Sequence, residues 1–235
     1  MSRISAACGA VLGIVPCIMR LIDLSQPIFH ECPNCPVHPK VKVELGATHE
    51  KDGWQLEMIT LASHTGSHVD APLHKIAGGA SLDEVPLQRF VGPAVIADLR
   101  GIGPNTPITR EHLEPKLKHP LRNTIVLLNT GWGERRQSDQ AWLHDSPFLS
   151  PAGAEWLVAQ QINGVGIDHY SIGGSRNPDN ARTHEILLGA GVWIVEELRF
   201  SPEAMAAKQP ATLWCLPVNM RGFSGTFCRP VLAVE

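Results

Sequence analysis

Nine short runs of valine, isoleucine and leucine place the strongest limit on how this 235-residue chain can fold. Each run is bounded by glycine, proline or asparagine, a pattern that predicts β-strands separated by turns. The predicted strands span residues 21–24, 41–45, 55–62, 94–99, 124–129, 164–168, 192–195, 211–218 and 230–234. We therefore expect a sheet built from these runs.

Helical patterns alternate with the strands only in the second half of the chain. The clearest helix begins after Ser150, with Pro151 in the first helical position, and runs to about Gln161. Further helices are predicted over residues 109–116, 137–144, 180–189 and 202–208. Because the first half is mostly strands and loops, the predicted fold class is α/β with a mixed sheet, in place of a regular doubly wound repeat.

The composition favours one folded domain and argues against a nucleic-acid partner. Hydrophobic residues make up 43% of the chain and charged residues 18%, which excludes disorder as the dominant state. The chain has 20 lysines and arginines against 23 aspartates and glutamates, whereas nucleic-acid-binding proteins usually carry a basic face. The 11 histidines are many for this length and indicate metal or proton chemistry, with scattered surface histidines as the alternative.

Residues 1–18 are predicted to form an extension that precedes a domain of residues 19–235. Arg3 is followed by an apolar run that resembles a weak signal peptide, but Pro16 interrupts it and it is too short to span a bilayer. We therefore favour Met19 as the natural start of a cytoplasmic protein. A secreted or periplasmic protein is the alternative if the extension acts as a signal. No other segment is apolar enough to cross a membrane.

The six cysteines favour free thiols over a disulfide framework, because the chain is large and their spacings are irregular. Cys32 and Cys35 form a CxxC motif, but Pro36 and Pro39 follow at once and no second cysteine pair lies nearby. A proline-stiffened loop is therefore favoured over a redox or zinc motif at this position.

The densest chemical signal places three histidines and one aspartate within eleven residues: His64, His68, Asp70 and His74. Gly66 predicts a turn, after which His68 and Asp70 point to the same side of an extended segment. The turn brings His64 back toward them, and two imidazoles with a carboxylate suit Zn²⁺ or Mn²⁺. For His74 we favour an acid/base role over that of a further ligand. A histidine-rich loop without chemistry is the alternative.

Three more polar positions follow apolar strands or lie on a predicted helix. Asp168 ends the strand predicted over residues 164–168, and strand ends in α/β folds often carry sites. His184 lies on a predicted helix, and Glu196 closes an apolar strand, where an unpaired carboxylate would be costly. A bound metal would remove that cost, although each residue taken alone is more often structural.

The segment from His64 to His74 resembles the signature of the metal-dependent cyclase family, which includes bacterial kynurenine formamidase and isatin hydrolase. The family signature is HxGTHxDxPxH, and this chain reads His64-x-Gly66-Ser67-His68-x-Asp70-x-Pro72-x-His74. Ser67 replaces the usual threonine and keeps its hydroxyl. The segments at residues 20–25, 127–132 and 165–172, and the pair His184 and Glu196, extend the resemblance over nearly all of residues 19–235.

The resemblance implies a single domain with a swivelling β/β/α barrel and a divalent metal site. By position, His64, His68 and Asp70 correspond to the family's first ligands. His184 and Glu196 match the additional histidine and glutamate of members that hold two metals. Since both are present, we expect two zinc ions bridged by Asp70, with a single manganese as the alternative.

The implied activity is hydrolysis of an aryl formamide resembling N-formylkynurenine, by attack of metal-bound hydroxide on the carbonyl. His74 matches the family's proton-transfer histidine. This would be an arylformamidase-like amidohydrolase for C–N bonds other than peptide bonds, active in tryptophan catabolism on a small carbonyl substrate and assembled as a homodimer or tetramer. A hydrolase of a cyclic amide or lactone, isatin-like, and a non-catalytic metal-binding protein are the alternatives.

Two departures from the family concern the substrate pocket. The family usually carries a Trp-Pro-Gly-Asp-like segment in the loop after the first strand, where this chain has residues 31–39 with both CxxC cysteines. The segment 224–229 keeps Ser-Gly-Thr and an arginine but otherwise differs. Four aromatic residues are the expected pocket walls for a flat substrate: Phe29, Trp54, Trp132 and Phe223. For each of them, ordinary core packing is the alternative. Two histidines, His38 and His169, are possible neighbours of the pocket.

Overall fold

The computed structural model describes residues 19–176 and 178–234, so the predicted extension at residues 1–18 lies outside the described residues. Each of the nine predicted strand runs contains a strand. In chain order the strands are β1 (Arg20–Asp23), β2 (Lys42–Ala47), β3 (Leu56–Thr60), β4 (His68–Asp70), β5 (Val91–Asp98), β6 (Pro107–Ile108), β7 (Ile125–Asn129), β8 (Phe148–Leu149), β9 (Gly164–Ile167), β10 (Trp193–Glu196), β11 (Ala211–Trp214), β12 (Gly225–Phe227) and β13 (Val231–Val234).

Helices connect the strands, and all five predicted helices are present. The α-helices are α1 (His49–Asp52), α2 (Arg110–Leu113), α3 (Gln140–His144), α4 (Pro151–Ala159), α5 (Asp179–Gly189) and α6 (Pro202–Ala206). Single turns of 3₁₀-helix cover Pro72–His74, Leu82–Glu84, Leu87–Phe90 and Gly133–Arg135. The helix α1 and the strands β6, β8 and β12 are only two to four residues long, so they carry too few positions for a periodic pattern to predict them.

Nine strands form one mixed sheet in the order β1-β13-β11-β5-β7-β9-β10-β4-β12. The central strands β5, β7, β9 and β10 run parallel, and the strands at both ends pair antiparallel. Parallel neighbours need a crossover connection, and α4 and α5 supply it before β9 and before β10. The predicted α/β class with a mixed sheet is thus confirmed. Outside this sheet, β2 pairs with β3 and β6 pairs with β8.

The sheet separates two apolar cores, because alternate residues of its buried strands point to opposite faces. Along β7, Ile125 and Leu127 contribute to one core, and Val126 and Leu128 contribute to the other. The second core is covered by the buried sides of α4 and α5. Because side chains pack against both faces of the central strands, the residues at the ends of these strands have fixed positions on which a site can be built.

Local signals explain where the main helices begin and end. The Ser150 side chain accepts a hydrogen bond from the backbone N–H of Gly153, and Pro151 occupies the first turn of α4, as predicted. After α5, Gly191 adopts a φ of +72°, which lets the chain reverse into β10. The strand predicted over residues 211–218 ends at Trp214, and Pro217 forms only an isolated bridge with Cys228.

No helix among the described residues is long and apolar enough to span a membrane. The longest, α5, has 11 residues.

Candidate metal centre and active site

The short strand β4 places two of the predicted ligands on one side of the sheet. His68 and Asp70 point to the site, while Val69 between them points into the first apolar core, as the two-residue alternation of a strand requires. The antiparallel register of β10 sets Glu196 opposite His68. On the other side of β4, Gly225 of β12 lies opposite Asp70.

His64 reaches the site from the loop before β4 through the predicted turn. Gly66 has a φ of +62°, a conformation that glycine adopts without steric cost. The turn brings His64 Nδ1 to 2.7 Å from Asp70 Oδ1 and His64 Nε2 to 3.1 Å from Ser224 Oγ. A Cβ atom at Gly225 would lie 2.3 Å from the His64 ring, so the imidazole fits only because that residue has no side chain.

The other two predicted ligands come from distant parts of the chain. His184 lies on the buried face of α5 and Glu196 ends β10. His184 Nε2 lies 3.2 Å from Glu196 Oε1 and 3.8 Å from Asp70 Oδ2. His68 Nε2 lies 3.4 Å from Asp70 Oδ1 and 3.5 Å from Glu196 Oε2. The fold therefore brings all five residues predicted as ligands into one cluster.

Two backbone carbonyls orient the imidazoles of His68 and His184. The Nδ1 atom of His68 donates to Gly66 O at 2.8 Å, and that of His184 donates to Asn180 O at 2.8 Å. A carbonyl oxygen only accepts, so each Nδ1 carries a proton and each Nε2 faces the carboxylates. This is the arrangement by which proteins hold metal-ligating histidines.

Burial and charge act against each other in the cluster. Burial raises the pKa of Asp70, but the charges of His64 and His68 and the hydrogen bonds from them hold that pKa well below its usual range. Burial lowers the pKa of His68, but the hydrogen bond and charge of Asp70, together with the charge of Glu196, raise it to about 9. Burial likewise lowers the pKa of His184, and the hydrogen bond to Glu196 raises it. Two buried carboxylates thus attract positive charge to this point.

The cluster fits a divalent cation. Ligand atoms of His64, Asp70 and His74 lie within 4.8 Å of one another, and so do those of His68, Asp70 and Glu196. Asp70 belongs to both groups, and its Oδ2 atom is buried without a hydrogen-bond partner, a costly state for a carboxylate oxygen. Imidazole nitrogen and carboxylate oxygen together are the donor set of zinc and manganese sites.

His74 stands beside this cluster on the 3₁₀ turn of Pro72–His74. Its ring centroid lies 4.2 Å from that of His64 and 5.7 Å from that of His184. Burial, aided by the charges of the neighbouring histidines, lowers the pKa of His74 to about 4 although Asp70 opposes the shift. The imidazole is therefore neutral near pH 7 and can accept a proton.

A pocket of about 260 Å³ opens above the cluster. Its walls come from the loop of residues 35–38 and from the segments after β9 and before α5: Cys35, Pro36, Val37 and His38, with Tyr170, Ser171, Ser175 and Asn180. Lys75 lines the same pocket. The prediction that His38 is a neighbour is confirmed, and the CxxC loop is a wall in which Cys35 is a free thiol.

The prediction that four aromatic residues form the pocket walls is wrong. Phe29, Trp54 and Phe223 are 49%, 53% and 42% exposed and do not line this pocket. Trp132 is buried against Trp142 in a separate aromatic cluster. The sequence contained no periodic signal for the actual wall, because residues 35–38 form an irregular loop whose direction depends on tertiary contacts. The position of Lys75 directly after His74 was a signal that could have been used.

The polar residues after β9 divide into structural and pocket positions. Asp168 accepts hydrogen bonds from the Thr130 hydroxyl at 2.6 Å and from the backbone N–H groups of Thr130 and Gly133 at 3.0 and 3.2 Å. It therefore fixes the loop after β7 and does not face the pocket. His169 is fully buried, so the prediction that it neighbours the pocket is wrong as well. Tyr170 is the residue of this segment that reaches the wall.

The chain is similar to known proteins in both sequence and fold. A family model described as a putative cyclase matches residues 22–173. The kynurenine formamidase of Bordetella pertussis (strain Tohama I) is 30% identical over 194 residues, which cover 77% of this chain and 83% of that protein. A solved structure described as a potential metal-dependent hydrolase with cyclase activity is 28% identical, with a TM-score of 0.75 over 92% of this chain and 98% of the other. Isatin hydrolase A from Labrenzia aggregata is 23% identical and has the same fold, with a TM-score of 0.80 over 92% of this chain and 94% of the other.

Proposed function

The chain belongs to the putative cyclase family, as its histidine motif predicted, and we infer that it is a metal-dependent amidohydrolase for C–N bonds other than peptide bonds. We propose that its substrate is an aryl formamide resembling N-formylkynurenine. The observation that carries this proposal is the buried cluster around Asp70 with the neutral imidazole of His74 beside it. The similarity to kynurenine formamidases over three quarters of the chain supports the formamide class.

The proposed metal ligands are the five residues of the cluster: His64, His68, Asp70, His184 and Glu196. Asp70 belongs to both candidate groups, which supports a site for two ions, each of which this carboxylate would help to hold. Zinc suits this mixture of imidazole and carboxylate ligands, and manganese is the alternative. His74 shares a group with His64 and Asp70, so the same geometry also admits it as a ligand.

When bound, a divalent cation lowers the pKa of water toward neutrality and polarises a carbonyl. His74 is placed to take a proton at the imidazole and to return it to the departing nitrogen, because its ring is neutral and opens on the pocket. The walls formed by Val37 and Tyr170 cover a flat acyl group and exclude water from one side. The carbonyls of Gly66 and Asn180 keep His68 and His184 aimed at the carboxylates while this occurs.

The test measures metal content and turnover side by side. Purified protein, a chelator-treated sample and samples reloaded with zinc or manganese are assayed on N-formylkynurenine, isatin and simple lactones. We expect turnover of the formamide that disappears with the metal and returns with it. Turnover by metal-free protein would contradict the proposed mechanism. Stoichiometric metal without a rate on any of these carbonyl compounds would favour a non-catalytic metal-binding protein, and a rate on isatin alone would assign the cyclic-amide class.

We also propose a homodimer or tetramer in a reducing, cytoplasmic compartment. The β2–β3 hairpin exposes Leu45, Met58 and Ile59 by 55–62%, and clustered exposed apolar side chains favour association. Light scattering coupled to size-exclusion chromatography measures the assembly. The four cysteines of the described residues are free thiols, which supports a compartment that keeps thiols reduced.

A further inference from the structure

One cationic side chain lines the pocket that opens above the cluster. Among the described residues that line this pocket, Lys75 is the only lysine or arginine. It is exposed and forms no salt bridge with any described residue. Its backbone N–H donates to Pro72 O at 3.1 Å and closes the turn that carries His74. The ammonium therefore starts from a backbone position that is fixed relative to His74.

Arg136 anchors the loop that forms one pocket wall, but it is not free to bind an anion in the pocket because its charge is already paired with a carboxylate. Its guanidinium lies 2.8 Å from the buried Glu197 carboxylate. It also donates to the carbonyls of Pro27 and Pro33 at 2.9 and 2.8 Å, which anchors the loop leading to Cys35. Lys75 is thus the cation left free to meet an anion in the pocket.

We propose that Lys75 binds a carboxylate of the substrate, so that the enzyme acts on aryl amides or formamides that carry an anionic group near the ring. This inference rests on the proposed function, since it takes the Asp70 cluster as the place where the substrate carbonyl lies. Val37 and Tyr170 then cover the ring, and the ammonium meets the carboxylate at the pocket rim. A lysine ammonium is a compact charge with three donors on a flexible stem, and it can follow a carboxylate without a rigid fork.

The physical consequence is a preference for charged substrates that depends on salt. A cation at the rim of a cleft raises the local concentration of an anion and stabilises its complex. Because Lys75 is exposed, added salt screens this attraction, with a Debye length of about 8 Å near physiological ionic strength. The effect belongs mainly to KM, since the carboxylate is not part of the bond that breaks and keeps its charge throughout the reaction.

The experiment compares two substrates with the same scissile bond. Hydrolysis of 2-formamidobenzoate and of formanilide is measured for the wild type, Lys75→Met, Lys75→Arg and the control Lys118→Met, which removes an exposed charge outside the pocket. We expect the wild type to prefer 2-formamidobenzoate in kcat/KM. Lys75→Met should lower the ratio of the two kcat/KM values roughly 3- to 10-fold, mainly through KM. Lys75→Arg should keep most of the ratio, and Lys118→Met all of it.

A binding titration separates failure of this inference from failure of the proposed function. 2-Aminobenzoate is titrated into the metal-loaded wild type and Lys75→Met, and its fluorescence reports the Kd. An equal substrate ratio in wild type and Lys75→Met, with both formamides hydrolysed, overturns the role of Lys75 and leaves the hydrolase assignment intact. If neither formamide is hydrolysed, the proposed function fails, and the binding titration then decides whether Lys75 binds an anion. Weaker binding by Lys75→Met then supports an anion site at Lys75, and an unchanged Kd overturns it.

Discussion

Single hydrogen bonds determine what each imidazole of the site can do. His68 and His184 each give an Nδ1 proton to a backbone carbonyl, so their Nε2 atoms face Asp70 and Glu196. The His74 side chain contacts the rings of His64 and His184 and forms no hydrogen bond with another described side chain, and burial keeps it neutral. The histidines of one motif therefore differ in role because their hydrogen-bond partners differ.

Alanine substitutions at His68 and His74 should have different consequences. We expect His68→Ala to lose metal and activity together, and His74→Ala to keep its metal while losing rate by roughly 10²–10⁴. Elemental analysis and kcat are measured on each variant. The control is His119→Ala, which removes an exposed histidine far from the motif. Loss of metal from His74→Ala would show instead that His74 is a ligand, as its grouping with His64 and Asp70 allows.

His169 is a buried histidine whose protonation is coupled to folding. Its Nε2 donates to Trp142 O at 2.8 Å, and its Nδ1 accepts from the Ser146 hydroxyl at 2.9 Å. Burial lowers its pKa to about 4, with a small further contribution from His144. The folded protein therefore keeps this ring neutral at a pH where the unfolded chain, with its histidine near pKa 6.5, already binds a proton.

Because the pKa of His169 is lower in the folded than in the unfolded chain, its protonation should lower the free energy of unfolding at acid pH. The stability that the neutral ring contributes is complete above about pH 6.5 and falls as the pH drops toward about 4. His169→Gln does not titrate, so the difference in free energy of unfolding between wild type and variant should narrow over this window. Urea unfolding at several pH values measures it. A difference that stays constant from pH 7.5 to 4.5 would show that His169 does not titrate on unfolding.

At the scale of elements, β4 is held between two strands that each contribute to the site. β10 brings Glu196 opposite His68, and β12 brings Gly225 opposite Asp70. Ser67, which directly precedes β4, donates its hydroxyl to Glu197 O at 2.7 Å and accepts from the Gln26 N–H at 2.8 Å. This hydroxyl is what the family's threonine and the serine of this chain have in common.

Gly225→Ala should damage the site through β12 without unfolding the protein. The new Cβ would meet the His64 ring at 2.3 Å, so either the strand or the imidazole must move, at a cost of about 1–3 kcal/mol. We expect metal affinity or rate to fall roughly 10- to 100-fold. Gly92→Ala in β5 is the matched control, because a Cβ there meets no atom within 4 Å. Equal metal titrations for the two variants would refute this role of Gly225.

At the scale of the whole molecule, the site joins parts of the chain that are far apart in sequence. One part contains His64, the strand β4 and the turn with His74, and the other contains α5 and β10. An ion bound between Asp70 and Glu196 would therefore hold both parts together in the folded state alone. A ligand that binds only the folded state stabilises it, by about 4 kcal/mol at a concentration 1,000 times its Kd.

Removal of the metal should lower the melting temperature of the intact protein. A domain of this size changes its Tm by about 2–4 °C for each kcal/mol, so we expect a fall on the order of 10 °C after chelation. Differential scanning fluorimetry before and after reloading with zinc measures it. His68→Ala serves as the comparison and should respond much less. An unchanged Tm after verified loss of metal would mean that the ion does not link the two parts.

The local pattern of the sequence determined much of this protein. Nine strand runs, the capped start of α4 and the turn at Gly66 follow from residues close in the chain, because side-chain alternation and backbone preferences act over a few residues. The same alternation placed His68 and Asp70 on one side of β4. These chemical signals and the family resemblance were enough to predict the cluster, although His184 and Glu196 alone would pass for structural residues.

Only the tertiary structure decided which surfaces surround the cluster. It brought Val37 and Tyr170 to the pocket, left Trp54 and Phe223 exposed, and placed Lys75 at the rim. Wall residues lie on irregular loops whose paths depend on long-range contacts such as those of Arg136 with Glu197 and two carbonyls. No short stretch of sequence encodes such contacts, since the partners are far apart in the chain and meet only when it folds.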